Sequence, residues 1–135
     1  CSPALTQYII LEMLKDGAME KYIQKVIQVY GHKEQVMAAA LKATQAETGA
    51  SWNEPEGGMF FWLQLPEGLD AGNLLFKALE AGVAYVKGPA FYTNETAGRN
   101  CLRLNFSQPS ESQITRGIER LASIIQEARQ IPAGR

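Results

Sequence analysis

The spacing of apolar residues predicts two helices in the first third of the chain. Ser2 and Pro3 form a helix start, because Ser caps free N–H groups and Pro at the first helical position loses no hydrogen bond. Apolar side chains then recur every three to five residues as far as Leu14, and Gly17 ends the pattern. We therefore predict a helix over residues 3 to 16.

A second apolar period begins at Met19 and resumes beyond His32. It predicts one long helix over residues 19 to 47, with Gly31 as the position where we expect a bend, since Gly in a helix interior costs about 1 kcal/mol relative to Ala. The length exceeds that of an ordinary globular helix and is typical of a helix that bridges two bodies of structure.

Strand and helix patterns alternate in the remainder of the chain. The stretch "MFFWLQLP" is apolar on both faces, which predicts a central strand. Asp70 begins a helix over residues 71 to 81, with Leu79 among its inward side chains. Two further strands are predicted at "VAYV", residues 83 to 86, and at "CLRLNFS", residues 101 to 107.

The segment between these two strands, residues 87 to 100, has no periodicity and reads as a long functional or mobile loop. Ser110 and Gln113 form the S-x-x-Q capping pattern that starts the last helix, and Pro132 ends it. The element order predicts an α+β fold: a small sheet of about three strands with helices packed on it, preceded by a helix and a long interdomain-type helix.

Composition restricts the partners. The 135 residues suit one compact domain or a piece of a larger protein. The net charge is −1 and like charges form no runs, which argues against nucleic acid, and no apolar run approaches the length of a membrane span. The N-terminus has neither a basic leader nor Met, so we interpret the chain as starting partway through a longer polypeptide. Cys1 and Cys101 read as free thiols of a reducing compartment, and we expect a cytoplasmic protein.

Arg103 is the strongest candidate for chemistry. Alternation along "CLRLNFS" sends Leu102 and Leu104 to one strand face and Arg103 and Asn105 to the other. A strand holds a guanidinium more rigidly than a surface helix does, which suits bidentate recognition of a carboxylate or phosphate. An exposed or ion-paired arginine explains the same alternation, and the pattern alone favours that simpler interpretation.

The other candidates are weaker. His32 stands alone, without Cys or acidic partners at metal spacing, and reads as a solvated helix residue. Gly57 and Gly58 indicate either a turn or a close approach of backbone to a ligand. Phe91 and Tyr92 line a pocket or anchor their loop. Since no nucleophile elbow, P-loop or dinucleotide fingerprint is present, we assign no catalytic, cofactor-binding or metal-binding residue.

Three motifs, P-E-G-G-M-F-x-W, G-V-x-x-x-x-G-x-x-F and L-R-L-N-F-S, lie in two stretches that resemble a known family. "EPEGGMFFWLQLPEGLDAGNLLFKALEAGVAYVKGPAFY", followed by "RNCLRLNFSQPSESQITRGIERL", resembles the C-terminal part of fold type I, pyridoxal-phosphate-dependent aminotransferases of class I/II. The nearest subgroup contains the 2-aminoadipate and kynurenine-type aminotransferases. The resemblance implies that residues 1 to 30 are the end of the large domain and the start of the interdomain helix, and that residues 31 to 135 are the C-terminal small domain.

The resemblance also implies a function. Arg103, in L-R-L-N-F-S, matches the family arginine that pairs with the substrate α-carboxylate. The intact protein would use pyridoxal 5'-phosphate to transfer an amino group from an amino acid to a 2-oxo acid. The family's Schiff-base lysine and most of its cofactor-binding groups precede the region resembled here, so we expect this fragment alone to be inactive. Lys87 stands where the family usually has Pro, so the resemblance does not extend to the loop conformation or the substrate preference.

The resemblance also implies self-association, and two alternative functions stay open. Residues 1 to 30 would lack their large-domain or dimer neighbours, so we expect homodimers or self-association through apolar residues such as Ile9, Ile10 and Leu11. The first alternative is the aminotransferase-like effector domain of a transcription regulator. The second is a free-standing module that binds a small acid through Arg103. Upstream sequence distinguishes the first alternative from the enzyme.

Overall fold

The computed structural model describes residues 3–94 and 96–130. The chain divides into two compact units, Cys1–His32 and Lys33–Arg135. The boundary lies close to the expected division after residue 30, whereas the assignment of the two parts to a large and a small domain stays a prediction. Ser2 and Pro132, which the sequence offered as a cap and a stop, lie outside the described residues.

The first unit contains α1, Ala4–Lys15, and the beginning of α2, Ala18–Thr48. Pro3 is the N-cap of α1, so the helix starts one residue later than predicted, and Gly17 ends it with a φ of +65°. No residue of α1 is buried, and Leu5 is 73% exposed. The predicted helix is confirmed, but it has no core of its own.

Helix α2 matches the predicted long helix to within one residue at each end. It runs through Gly31 as one helix, and the bend expected there stays a prediction. Its buried residues are Met37, Leu41 and Thr48, which all belong to the second unit.

The second unit contains a four-stranded antiparallel sheet in the order β1-β2-β4-β3. The prediction of about three strands was therefore one short. The strands are β1, Ser51–Asn53; β2, Phe60–Gln64; β3, Val86–Lys87; and β4, Cys101–Asn105. β2 pairs with both β1 and β4, which confirms that it is central.

The missed strand and a misplaced one have local explanations. β1 falls in a stretch that reads as a turn-rich connector, because three residues are too few to show alternation. β3 begins at Val86 rather than at Val83, because the Val83 N–H donates to the Ala78 carbonyl oxygen at the end of the preceding helix.

Two helices complete the second unit: α3, Ala71–Glu80, and α4, Glu111–Gln130. The Asp70 carboxylate caps α3 by accepting from the Gly72 N–H at 2.7 Å. At the start of α4 the Ser110 N–H donates to the Gln113 side chain at 2.8 Å, and the Gln113 N–H donates to the Ser110 hydroxyl at 3.4 Å. This reciprocal pair is the capping box that the sequence predicted.

The core lies between one face of the sheet and the helices. Leu41 of α2, Leu63 of β2 and Leu121 of α4 line a common void of only about 10 Å³, so three elements meet there at close packing. Leu79 of α3, expected to point inward, is 52% exposed. The α+β class is confirmed. Within residues 3–94 and 96–130, no helix is both long enough and apolar enough to span a membrane.

Candidate carboxylate-binding site

Arg103 lies in the middle of the sheet, on the face opposite the buried leucines. Its cross-strand partner on β2 is Trp62, and its cross-strand partner on β3 is Val86. Directly opposed residues of antiparallel strands point to the same face, so these side chains flank Arg103 on both sides. Leu102 and Leu104, the neighbours of Arg103 along the strand, are buried on the other face, as the alternation predicted.

Two phenylalanine rings hold the Arg103 guanidinium. Its central carbon lies 3.9 Å from the centroid of the Phe60 ring and 4.7 Å from that of the Phe91 ring. Both distances are inside the roughly 6 Å range of cation–π attraction. The two ring contacts restrict the position of the guanidinium, and they use none of its N–H donors as conventional hydrogen bonds.

The guanidinium has no acidic partner in the described part of the chain. Arg103 forms no ion pair with an Asp or Glu side chain there, and no hydrogen bond of its side chain accompanies the ring contacts. Arg103 is half-buried. Within the described residues, Arg103 is therefore neither ion-paired nor fully exposed to solvent.

Two further aromatic side chains extend the surface around Arg103. The Trp62 ring packs edge-on against Phe91, with centroids 5.3 Å apart, and lies 6.2 Å from the Tyr92 ring. We call Phe60, Trp62, Phe91 and Tyr92, together with Arg103, the aromatic clamp. Phe91 and Tyr92 were named from the sequence as loop aromatics, whereas Phe60 and Trp62 were missed. The apolar character of both faces of β2 was the signal for these two.

The loop that carries Phe91 and Tyr92 is fixed at its far end. The Ala71 N–H donates to the Arg99 carbonyl oxygen at 2.8 Å, and the Leu65 N–H donates to the Asn100 carbonyl oxygen at 2.8 Å. The Arg99 side chain also pairs with Asp70 at 3.3 Å. These contacts tie residues 99 and 100 to the end of β2 and the start of α3.

Glycine makes the compact path of this loop possible. Its first turn is a 3₁₀ helix, Gly88–Phe91. A Cβ on Gly88 would lie 2.2 Å from the Gly98 carbonyl oxygen, and a Cβ on Gly98 would lie 2.3 Å from the Tyr92 ring. Gly98 also has a φ of +67°, a region that other residues rarely adopt. The absence of both side chains therefore lets the two ends of the loop touch.

Lys87 precedes this turn with φ −66° and ψ 144°. A proline ring fixes φ near −65°, so the backbone at this position already has the conformation that Pro would impose. The φ of Lys87 is therefore compatible with Pro at this position, and the effect of Lys87 on the loop conformation and the substrate preference stays a prediction.

The remaining candidates lie outside the clamp. His32 is exposed on α2. Gly57 and Gly58 face open space, and the φ of +84° at Gly58 accounts for a glycine in that turn. Cys101 is a buried free thiol. In the described ranges no three His, Cys, Asp or Glu side chains cluster in a way that would hold a metal ion.

The family model described as "Aminotransferase class I and II" matches residues 1–121. The chain belongs to this family. Aromatic-amino-acid aminotransferase 1 of Thermococcus litoralis is 40% identical over 127 residues, which cover 94% of this chain and 30% of that protein. The chain thus spans about a third of the length of such relatives.

Solved structures agree with this membership. An archaeal alanine:glyoxylate aminotransferase superposes with a TM-score of 0.86 at 41% identity, over 94% of this aminotransferase chain and 31% of that one. The α-aminoadipate aminotransferase LysN of Thermus thermophilus, solved with N-(5'-phosphopyridoxyl)-L-leucine, superposes with a TM-score of 0.83 at 36% identity, over 93% and 32% of the two chains. The α+β fold and the aminotransferase family of this chain therefore rest on sequence and structure together.

Proposed function

We propose that the chain is the C-terminal part of a pyridoxal-phosphate-dependent aminotransferase, and that Arg103 binds the α-carboxylate shared by its amino acid and 2-oxo acid substrates. The observation that carries this proposal is the aromatic clamp: a half-buried guanidinium between two rings, with no carboxylate partner among the described residues. A cation placed in this way has its donors available for an anion that comes from outside.

The geometry favours a carboxylate. A guanidinium presents two parallel N–H donors that match the two oxygens of a carboxylate, and such charge-assisted bonds are about twice as strong as neutral ones. The rings of Phe60 and Phe91 fix the plane of the fork, so less conformational entropy is lost when the substrate binds. A substrate held at its carboxylate also has fewer orientations at its α-carbon, which is where transamination takes place.

The cofactor does not fit the residues present. When bound in such enzymes, pyridoxal 5'-phosphate supplies an electron sink for the substrate carbanion. Of the seven lysines of this chain, six are exposed, and the half-buried Lys33 donates to the Ser107 carbonyl oxygen at 2.7 Å. These surroundings support the expectation that the Schiff-base lysine is none of these seven. We infer that the cofactor is held by a region upstream, that this chain alone is inactive, and that the protein acts in the cytoplasm.

A variant pair tests the role of Arg103 in a protein where this chain follows its cofactor-binding region. Arg103→Gln removes the charge and one arm of the fork, and we expect kcat/KM to fall about a hundredfold, the size of a lost charge-assisted bidentate contact. Arg103→Lys keeps the charge without the planar fork and should recover only part of the loss. Arg129→Gln is the control, because it removes the same charge from α4, where Arg129 donates to the Glu47 carbonyl oxygen.

Three outcomes separate the alternatives. An Arg103→Gln protein with unchanged kcat/KM contradicts the carboxylate role. An upstream DNA-binding domain without transaminase activity would identify the regulator instead. Calorimetry of the 135-residue chain with amino acids and dicarboxylates tests the free-standing module, which requires binding that Arg103→Gln abolishes.

A further inference from the structure

A second concave surface lies where α4, the end of β4 and the segment after α3 meet. This groove has a volume of about 340 Å³, within the range of roughly 300–1,000 Å³ typical of small-ligand sites. Its apolar lining includes Met37, Leu104 and Ile118. Its polar lining consists of Asn105, Gln113, Arg116 and Arg120, and we call it the donor groove.

The hydrogen-bond acceptors of the donor groove are occupied. The side-chain oxygen of Asn105 accepts from the Ser107 N–H at 2.7 Å and from the Ser107 hydroxyl at 2.8 Å. The side-chain oxygen of Gln113 accepts from the Ser110 N–H at 2.8 Å. Each oxygen accepts from a backbone N–H, so the NH₂ groups of both amides are available to donate to a ligand in the groove.

The two arginines add further donors and charge. Arg116 uses its Nε on the Ser112 carbonyl oxygen at 3.2 Å, and Arg120 uses one Nη on the Ala81 carbonyl oxygen at 2.9 Å. A guanidinium has five N–H donors, so most of them are unused on each side chain. No Asp or Glu is among the residues that line the groove. The side chains of its lining thus offer more hydrogen-bond donors than acceptors.

The spacing of the two arginines favours an anion between them. Residues four apart on a helix are neighbours, with about 5–6 Å between their Cβ atoms, and like charges at this spacing repel each other. Neither arginine forms an ion pair in the described part of the chain. An anion bound in the groove would replace this repulsion with two attractive contacts.

Gly117 leaves room for such a ligand. It lies in the interior of α4 and lines the groove, and a Cβ built on it would have no atom within 4 Å. Gly in a helix interior costs about 1 kcal/mol relative to Ala. Close packing does not explain this glycine, because the space beside it is open. The missing side chain widens the groove beside the two arginines.

We propose that the donor groove binds a small organic anion with two charged groups, either carboxylates or phosphates. It is distinct from the aromatic clamp, since none of the five clamp residues is among the residues that line the groove. The proposal is therefore independent of the transamination function and survives if that function is wrong.

Calorimetric titration of the 135-residue chain with succinate and with pyrophosphate tests this proposal. We expect saturable binding of one anion per chain at about 0.15 M salt, where exposed charges farther apart than about 8 Å are largely screened. Arg116→Gln and Arg120→Gln should each weaken the affinity about tenfold. Lys42→Gln, which removes one exposed positive charge from α2, should leave it unchanged. The preferred probe distinguishes a carboxylate ligand from a phosphate ligand.

Gly117→Leu separates the groove from a general attraction to charge. It fills the open space, retains both arginines and raises helix propensity, so the chain should stay folded while its affinity falls at least tenfold. Unchanged affinity in this variant would mean that the anion binds elsewhere and would overturn the proposal. So would equal weakening by Lys42→Gln, or no saturable binding of either anion.

Discussion

The two ends of α2 have similar apolar spacing and very different surroundings. In the first unit Tyr22 is 59% exposed and Ile27 is 57% exposed, whereas in the second unit Met37 is 3% exposed and Leu41 is 4% exposed. The helix itself is continuous. The difference teaches that a helical period specifies which side chains share a face, while burial depends on whether other elements are present to cover that face.

The same contrast holds for the two units as wholes. The buried hydrophobic side chains of the described residues all follow residue 36, and the first unit instead exposes large apolar side chains along α1 and α2. Burial of a Leu or Ile side chain contributes about 1.5–3 kcal/mol. We therefore expect the free energy of unfolding to reside in the second unit and the tendency to associate to reside in the first.

The largest effect should come from truncating a core ring. Phe61 is 0% exposed and packs edge-on against Phe106 with ring centroids 5.9 Å apart, so Phe61→Ala should lower the free energy of unfolding by about 3–5 kcal/mol. Leu14→Ala removes an apolar side chain that is 51% exposed in α1, and should change the free energy of unfolding by less than about 0.5 kcal/mol. Urea unfolding monitored by far-ultraviolet circular dichroism measures both, because this signal reports the helices of the first and of the second unit. Similar losses would contradict the contrast.

A smaller effect should appear at alkaline pH. The Tyr85 hydroxyl is buried and donates to the Ala71 carbonyl oxygen at 2.7 Å, and burial, together with the nearby Asp70 carboxylate, raises the pKa of Tyr85 to about 12. A raised pKa means that the folded state favours the neutral phenol. This contribution is complete below about pH 10, the ordinary tyrosine pKa, and is lost as the pH rises towards 12, at a total of about 2 kcal/mol.

Tyr85→Phe isolates this contribution. At neutral pH the variant should be less stable by about 1 kcal/mol, because the Ala71 carbonyl oxygen loses its donor. Above pH 10 the difference should shrink and then reverse, since only the original chain loses the tyrosine contribution, which is larger than the difference at neutral pH. Tyr8→Phe is the matched control in the first unit, where Tyr8 is 67% exposed. Parallel pH profiles for the original chain and Tyr85→Phe would exclude the effect.

Local patterns predicted most of the fold. Caps at Asp70 and Ser110, the stop at Gly17 and the apolar period of α4 each depend on residues within a few positions of one another, so the sequence contains the whole signal. β1 and β3 instead depend on hydrogen bonds to their partner strands, β2 and β4 respectively. Short segments such as these are stabilised by their partners rather than by their own pattern.

The candidate site shows the same division. Alternation predicted the face of Arg103, because alternation is a property of one strand. Its contacts with Phe60 and Phe91 depend on the register between β2 and β4 and on the path of the loop, which no local pattern specifies. The donor groove was not predicted either, since its lining comes from several elements that are far apart in the sequence.

Self-association tests the first unit directly. Ile9 is 53% exposed on α1, and Ile9→Asp places a charge where a partner chain would bury an apolar side chain. We expect the dissociation constant for self-association to rise about tenfold, which corresponds to about 1.4 kcal/mol. Gln7→Glu adds a charge to the same helix at an already polar position and serves as the control. Sedimentation velocity over a concentration series measures both, and monomers at every concentration of the original chain would contradict the prediction.

The smallest effect concerns Gly31, which lies at the boundary between the two units. A Cβ at this position would meet no atom within 4 Å, so Gly31→Ala should gain the helix propensity of Ala without a clash, about 1 kcal/mol. Ala43→Gly, at an exposed position of α2 inside the second unit, should lose a similar amount. Urea unfolding reads out the gain at residue 31 only if the helix there unfolds together with the second unit. A gain in stability would mean that the cooperative unit extends across the boundary. An unchanged stability would mean that the cooperative unit contains only residues beyond Gly31. A loss of stability would mean that the conformational freedom of glycine is needed there, as a bend would require.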